Sequence, residues 1–155
     1  LLRSLLEEAR RYGVTTVSLN IEVFDETLRE EVMPAKGKIP VSEYVANWKI
    51  CIEIFGRNEV STTVVVGVGE SDESILRGVE MAAKEGVMSF LVPHSPAAGA
   101  DYAGMVPPSA DRMLYLYEQA SEIHRKYRLD LYACTAGCVK GGGFSGIKDV
   151  ARFGV

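Results

Sequence analysis

The run Val60-Ser-Thr-Thr-Val-Val-Val-Gly-Val68 constrains the fold most. It is a near-continuous series of β-branched residues with no clear solvated face. A strand of that kind belongs in a parallel sheet covered on both sides. A second buried strand is expected at Val87–Val92, one helix later. The intervening helix starts at a Ser71 or Asp72 cap, runs to about Glu85 and stops at Gly86.

The same alternation extends both ways. Leu2, Leu5, Leu6, Ala9 and Tyr12 have helical spacing and precede Gly13. Val14–Val23 then reads as a strand, and Leu28–Val32 as a helical turn. Met33–Pro40 reads as a loop with two prolines and a glycine. Ser42 is the expected cap of a helix over Glu43–Phe55 that ends at Gly56. A loop with four prolines spans Pro93–Pro108, and an amphipathic helix spans Ser109–Tyr127. Leu129–Ala133 is a last short apolar run and candidate strand, followed by a Gly-rich tail.

Regular βα alternation implies parallel strands with right-handed crossovers. The expected fold class is α/β: parallel βα repeats, either an open doubly wound sheet or part of a (β/α) TIM-type barrel. So few strands suit the second better, as a portion of a larger barrel. The chain also starts without Met and inside a helical pattern, the expectation for a piece of a longer protein. Residues 1–133 would be the barrel portion, and residues 134–155 a tail carrying a cysteine pair. Half a barrel would leave strand edges unpaired, so a homodimer through those edges is expected.

Composition narrows the function. The net charge of −4 and the absence of a Lys/Arg cluster give no nucleic-acid surface. No apolar run approaches the ~20 residues of a membrane span. The cysteine count of three argues against a disulfide framework and for reduced thiols, hence a cytoplasmic setting.

In both sheet solutions, ligands collect at the C-terminal strand ends. Ser18, Asn20 and Glu22 would share one face of the first strand, with Leu19, Ile21 and Val23 on the other. Such polar groups need partners or a polar ligand, unless the strand lies at a solvated edge. Gly67 and Gly69 end the second strand and lead into a helix N-terminus. The third glycine of a dinucleotide fingerprint is missing there, as is the Gly-Lys-Ser/Thr of a P-loop. His94, after the third strand, is either a satisfied loop histidine or a substrate hydrogen-bonding group. His124, beside Arg125 and Lys126, reads as a surface residue. Cys51 reads as core. Cys134 and Cys138, four apart, have the spacing to share a metal, but a closed site needs about four ligands. A tight loop with two small thiols is the preferred reading of that pair.

These residues resemble the radical S-adenosylmethionine (SAM) enzymes of the biotin synthase type. Asn20-Ile21-Glu22 is similar to the polar pair that this family carries on its fourth barrel strand to bind the ribose of SAM. Val64-Val-Val-Gly67-Val-Gly69-Glu70 resembles the Gly-x-Ile-x-Gly-x-x-Glu pattern of the fifth strand, with Thr63 for the first glycine and Val65 for the isoleucine. Phe90-Leu-Val92-Pro93 is similar to the sixth strand, whose backbone contacts adenine. The resemblance spans roughly Leu1 to Tyr132 and implies strands four to six of the barrel plus a C-terminal helix.

What the resemblance implies is specific. SAM and a small-molecule substrate would be the partners. Asn20 and Glu22 would hold the ribose, Gly67 and Gly69 would allow close approach, and Glu70 would orient its loop. Val92 would lie at the adenine, with Ser18 and His94 toward substrate. The family's Cys-x-x-x-Cys-x-x-Cys loop, which holds a [4Fe–4S] cluster, does not occur in this sequence. The parent protein would be the enzyme, a transferase by this likeness, and this chain alone inactive. Two other readings stand beside it. One is a different βα-barrel enzyme, such as an aldolase, marked by a strand-end lysine; Lys36 and Lys38 lie in an expected loop. The other is a non-catalytic binding module.

Overall fold

The computed structural model describes residues 2–154. Three parallel strands alternate with helices in one open sheet of order β1-β2-β3. The strands are β1 (Val17–Ser18), β2 (Val60–Val66) and β3 (Met88–Pro93). Helix α1 (Leu2–Arg11) precedes β1. Between β1 and β2 come α2 (Glu26–Val32), α3 (Pro34–Gly37) and α4 (Val41–Phe55). Helix α5 (Asp72–Glu85) joins β2 to β3, and α6 (Ala110–Lys126), α7 (Gly137–Gly141) and α8 (Ile147–Phe153) follow. The expected α/β class with parallel βα repeats is what the chain adopts.

Local signals set most boundaries. Ser71 and Ser109 accept hydrogen bonds from the backbone N–H of Ser74 and Arg112, three residues on, and cap α5 and α6. Gly86 ends α5 in the left-handed conformation. Helix α4 starts two residues earlier than expected, at Val41 rather than after a Ser42 cap, and the extended backbone of Pro40 serves as the N-cap.

One face of the sheet is fully covered. Val60, Thr62, Val64 and Val66 alternate onto the same face of β2 and are fully buried, as are Ser89 and Leu91 in β3. Helices α4, α5 and α6 contact these strands. On the opposite face Ser61, Met88 and Phe90 are buried too, while Thr63, Val65 and Val92 are half-buried. Gly78 lets α5 lie directly on Phe24, since a Cβ there would fall 2.1 Å from the ring. This contact draws α5 onto the segment that follows β1.

Several expectations change. The strand expected over Val14–Val23 is regular only at Val17–Ser18. Val17 and Ser18 pair with Val60 and Ser61, yet Glu22 pairs with Val64, so β1 has slipped by one residue. That is a bulge. The loop expected at Met33–Pro40 contains the helical turn α3. Leu129–Ala133 is not a strand. Arg128 has a left-handed φ of 57°, and the Asp130 carboxylate accepts from the Tyr132 and Ala133 N–H groups, which curls the chain into a turn. The tail after residue 133 forms α7 and α8; α8 packs along α6 and buries Ile147.

His124 is also not a surface residue. It is 1% exposed, and its Nε2 accepts the Ser89 N–H at 3.2 Å. The His94 N–H bonds Val66 on β2, so by alternation the Ser89 N–H points away from β2, off the outer edge of β3. The imidazole therefore satisfies one backbone donor on that edge.

Candidate functional site

The bulge builds the site. Without regular pairing, side chains complete the ladder between β1 and β2. Thr62 Oγ1 accepts the Ile21 N–H at 3.0 Å, and Asn20 Oδ1 accepts the Thr63 N–H at 3.1 Å. Ser18 Oγ donates to the same Asn20 oxygen at 2.6 Å, and Ser61 Oγ donates to Ser18 Oγ at 3.0 Å. Regular pairing resumes when the Glu22 N–H bonds Thr63 O at 2.9 Å and the Val65 N–H bonds Glu22 O at 2.8 Å.

Two consequences follow for chemistry. Oδ1 of Asn20 is saturated, which fixes the amide so that Nδ2 is its outward donor. Glu22 has a φ of 67°, a backbone region that is uncommon and costly for a residue with a side chain. There its carboxylate meets Lys36 Nζ at 2.7 Å through Oε1 alone. Among the described residues Oε2 has no recorded partner. Asn20 Nδ2 and Glu22 Oε2 are thus a donor and an acceptor left over on residues two apart at the end of β1, the kind of pair that could serve two neighbouring hydroxyls.

Lys36, set aside in the sequence as a loop residue, is brought to the strand end. It lies on α3 and reaches back to β1, with its ammonium 3.4 Å from Asn20 O as well. A cleft of about 370 Å³ opens beside it, lined by Ser18, Asn20, Lys36, Ile39, Glu43 and Tyr44 among others. A larger cleft of about 870 Å³ between α6 and α8 contains none of the residues singled out as SAM- or substrate-binding. The smaller cleft, lined by Ser18 and Asn20 with Glu22 reaching Lys36 at its margin, is the better candidate on chemical grounds.

Glu70 works behind the site. It is 3% exposed, and its carboxylate accepts the Phe24 N–H at 3.1 Å, the Asp25 N–H at 2.9 Å and the Ser74 hydroxyl at 2.8 Å. It thus ties the end of β1 to the β2–α5 turn. Arg112 holds the same turn from α6, donating to Glu70 O at 2.9 Å and to Asp72 at 2.7 Å. Arg29 is fully buried; it donates to Val23 O at 2.7 Å and Ile39 O at 2.6 Å, with its guanidinium over the Tyr44 ring. This clamps both ends of the α2–α3 excursion.

The remaining candidates are less assembled. Gly67 and Gly69 have positive φ, but the space beside them is filled by protein: Pro108 beside Gly67 and Leu28 beside Gly69. Val92 lies next to Val65 on the half-buried face. His94 is half-buried, with its Nε2 shielded and unpartnered among the described residues. Cys134 is buried and Cys138 exposed, with only the latter on α7, so they do not form a face together. Burial pushes the Cys134 thiol up. Among the described residues no group of three or more His, Cys, Asp or Glu could hold a metal, and no helix is long and apolar enough to cross a membrane.

The fold and site thus define an open, parallel βα unit with a polar cleft at one strand end. No family model matches the chain, and no solved structure matches it. Among curated proteins it is similar to the bacteriochlorophyllide c C-7(1)-hydroxylase of Chlorobaculum limnaeum. The two are 24% identical over 124 residues, which cover 79% of this chain and 31% of the hydroxylase. The relation is distant, and the chain spans less than a third of that relative's length.

Proposed function

We propose that this chain is the SAM nucleoside-binding portion of a radical SAM enzyme, an arc of its barrel spanning about strands four to six. The observation that carries the reading is the paired donor and acceptor at the β1 bulge. Asn20 Nδ2 and Glu22 Oε2 have the complementarity that two ribose hydroxyls require, and they belong to the segment that resembles the family's ribose motif. The monotonic strand order suits an arc of a barrel. The similarity to a hydroxylase supports the same class, with oxidation at a carbon centre as the reaction type of the whole protein.

The residues fit the nucleoside and not the cluster. Cys51, Cys134 and Cys138 lack the family spacing, and Cys51 and Cys134 are buried, so the cluster ligands would lie elsewhere in the parent. Bound there, SAM and cluster would supply a one-electron route to hydrogen abstraction. This chain's part is to bind and orient: Glu22 and Asn20 at the ribose, Val92 toward adenine, Ser18 and His94 toward substrate, with Glu70, Gly67 and Gly69 shaping the turn. A biotin synthase-like transferase role rests on the motif resemblance alone.

Anaerobically purified full-length protein should contain iron and sulfide, and form 5′-deoxyadenosine from SAM when reduced. Protein lacking both metal and SAM binding would overturn the assignment. A second reading draws on Lys36, which puts a lysine at the strand end after all. A Schiff-base lyase would use that amine, and borohydride trapping of an aldehyde on Lys36 would favour it. The ion pair with Glu22 already engages this ammonium, which favours the first reading.

A further inference from the structure

The pairing of Lys36 with Glu22 goes beyond the family motif. We propose that Lys36 is a positioning residue that sets the Glu22 carboxylate for diol recognition, a role that rests on the ribose reading of Asn20 and Glu22.

The backbone of Glu22 is fixed on both sides by Thr63 O and the Val65 N–H. Its side chain is not fixed by the backbone, because three torsions separate Cα from the carboxylate. The partner that orients it is Lys36 Nζ, 2.7 Å from Oε1. The same ammonium lies 3.4 Å from Asn20 O, so one cation touches both residues of the hydroxyl-binding pair. Holding Oε1 turns Oε2 out as the free acceptor.

Lys36 is itself held in place by packing. Pro34 starts α3, and Gly37 ends it so close to α2 that a Cβ would lie 2.2 Å from Glu30 Cα. Arg29 anchors the flanking backbone at Val23 and Ile39. The short helix is therefore a rigid mount for one ammonium. The Lys36 side chain is 41% exposed and that of Glu22 16%, so solvent screens the pair from the lysine side and its contribution to stability is modest. A pair that adds only modestly to stability, yet sits on a strained residue, points to orientation of a ligand group.

The test separates orientation from stability. Full-length wild type, Lys36→Met and Lys36→Arg are titrated with adenosine and with 2′,3′-dideoxyadenosine, and their melting temperatures are compared. Wild type should prefer adenosine. Lys36→Met should weaken adenosine by about tenfold, the size of one lost charge-assisted hydrogen bond, and leave dideoxyadenosine and the melting temperature nearly unchanged. Lys36→Arg should restore most of the preference. A Lys36→Met protein that keeps the full preference would overturn the positioning role alone. A wild type with no preference would overturn the ribose reading, and this role with it.

Discussion

Glu70→Ala should lower the unfolding free energy by about 3 kcal/mol and abolish nucleoside binding together with it. The carboxylate is buried and bonds two backbone N–H groups and one hydroxyl. Alanine removes all three acceptor contacts. The Phe24 N–H then loses its partner inside the core, where an unsatisfied donor costs about 1–3 kcal/mol. Asp25 is exposed, so its N–H regains water and adds less. The loss is also positional, because Glu70 joins the segment carrying Glu22 to the β2–α5 turn. Glu70→Gln, which keeps an acceptor oxygen, should lose roughly half as much. Urea unfolding of the three proteins measures this; a midpoint for Glu70→Ala equal to wild type would show that the turn is held by other contacts.

The second large effect is one of pH. Burial pushes His124 down to about 4 from its ordinary 6.5. Geometry gives the same sign, for Nε2 faces the Ser89 N–H and must accept. A protonated ring would set donor against donor. Between pH 6.5 and 4 the unfolded chain binds a proton that the folded chain refuses. Stability is therefore full above pH 6.5, falls as pH drops through that window and has lost its whole contribution below pH 4. About 1.4 kcal/mol per unit makes this roughly 3 kcal/mol. His124→Gln can still accept from Ser89 and does not titrate. Its stability should fall less steeply than wild type across the window, and parallel curves would contradict the assignment. Since carboxylates also titrate near the lower end, the comparison between the two proteins is the informative quantity.

Much of this architecture is readable from residues in order. The β-branched run at Val60–Val66 and the apolar run at Val87–Val92 have the composition of buried parallel strands, and β2 and β3 form there. The Ser71 and Ser109 caps and the Gly56 and Gly86 stops mark helix ends by local chemistry. His124 shows a signal that was outweighed by its neighbours. It continues the stripe Leu116, Tyr117 and Ala120 at helical spacing, all buried, while Arg125 and Lys126 belong to the other face.

The site was less readable, for a physical reason. Alternation places Ser18, Asn20 and Glu22 on one side, and their exposure agrees. What alternation does not contain is the bulge, because the left-handed Glu22 depends on its pairing with β2. Lys36 is remote in sequence from the strand it serves, and its approach depends on how α2 and α3 fold back. The roles of Pro108 beside Gly67 and of Arg29 as a clamp are likewise long-range packing facts.

The most direct measurement of the central claim is calorimetric titration of SAM into full-length wild type and Glu22→Ala. One free acceptor at the bulge, worth about 1.5–3 kcal/mol to a hydroxyl pair, should be lost. The expected result is a roughly 10- to 100-fold weaker affinity with an unchanged melting temperature. Equal affinity in the two proteins would contradict the assignment of this strand end to the nucleoside of SAM.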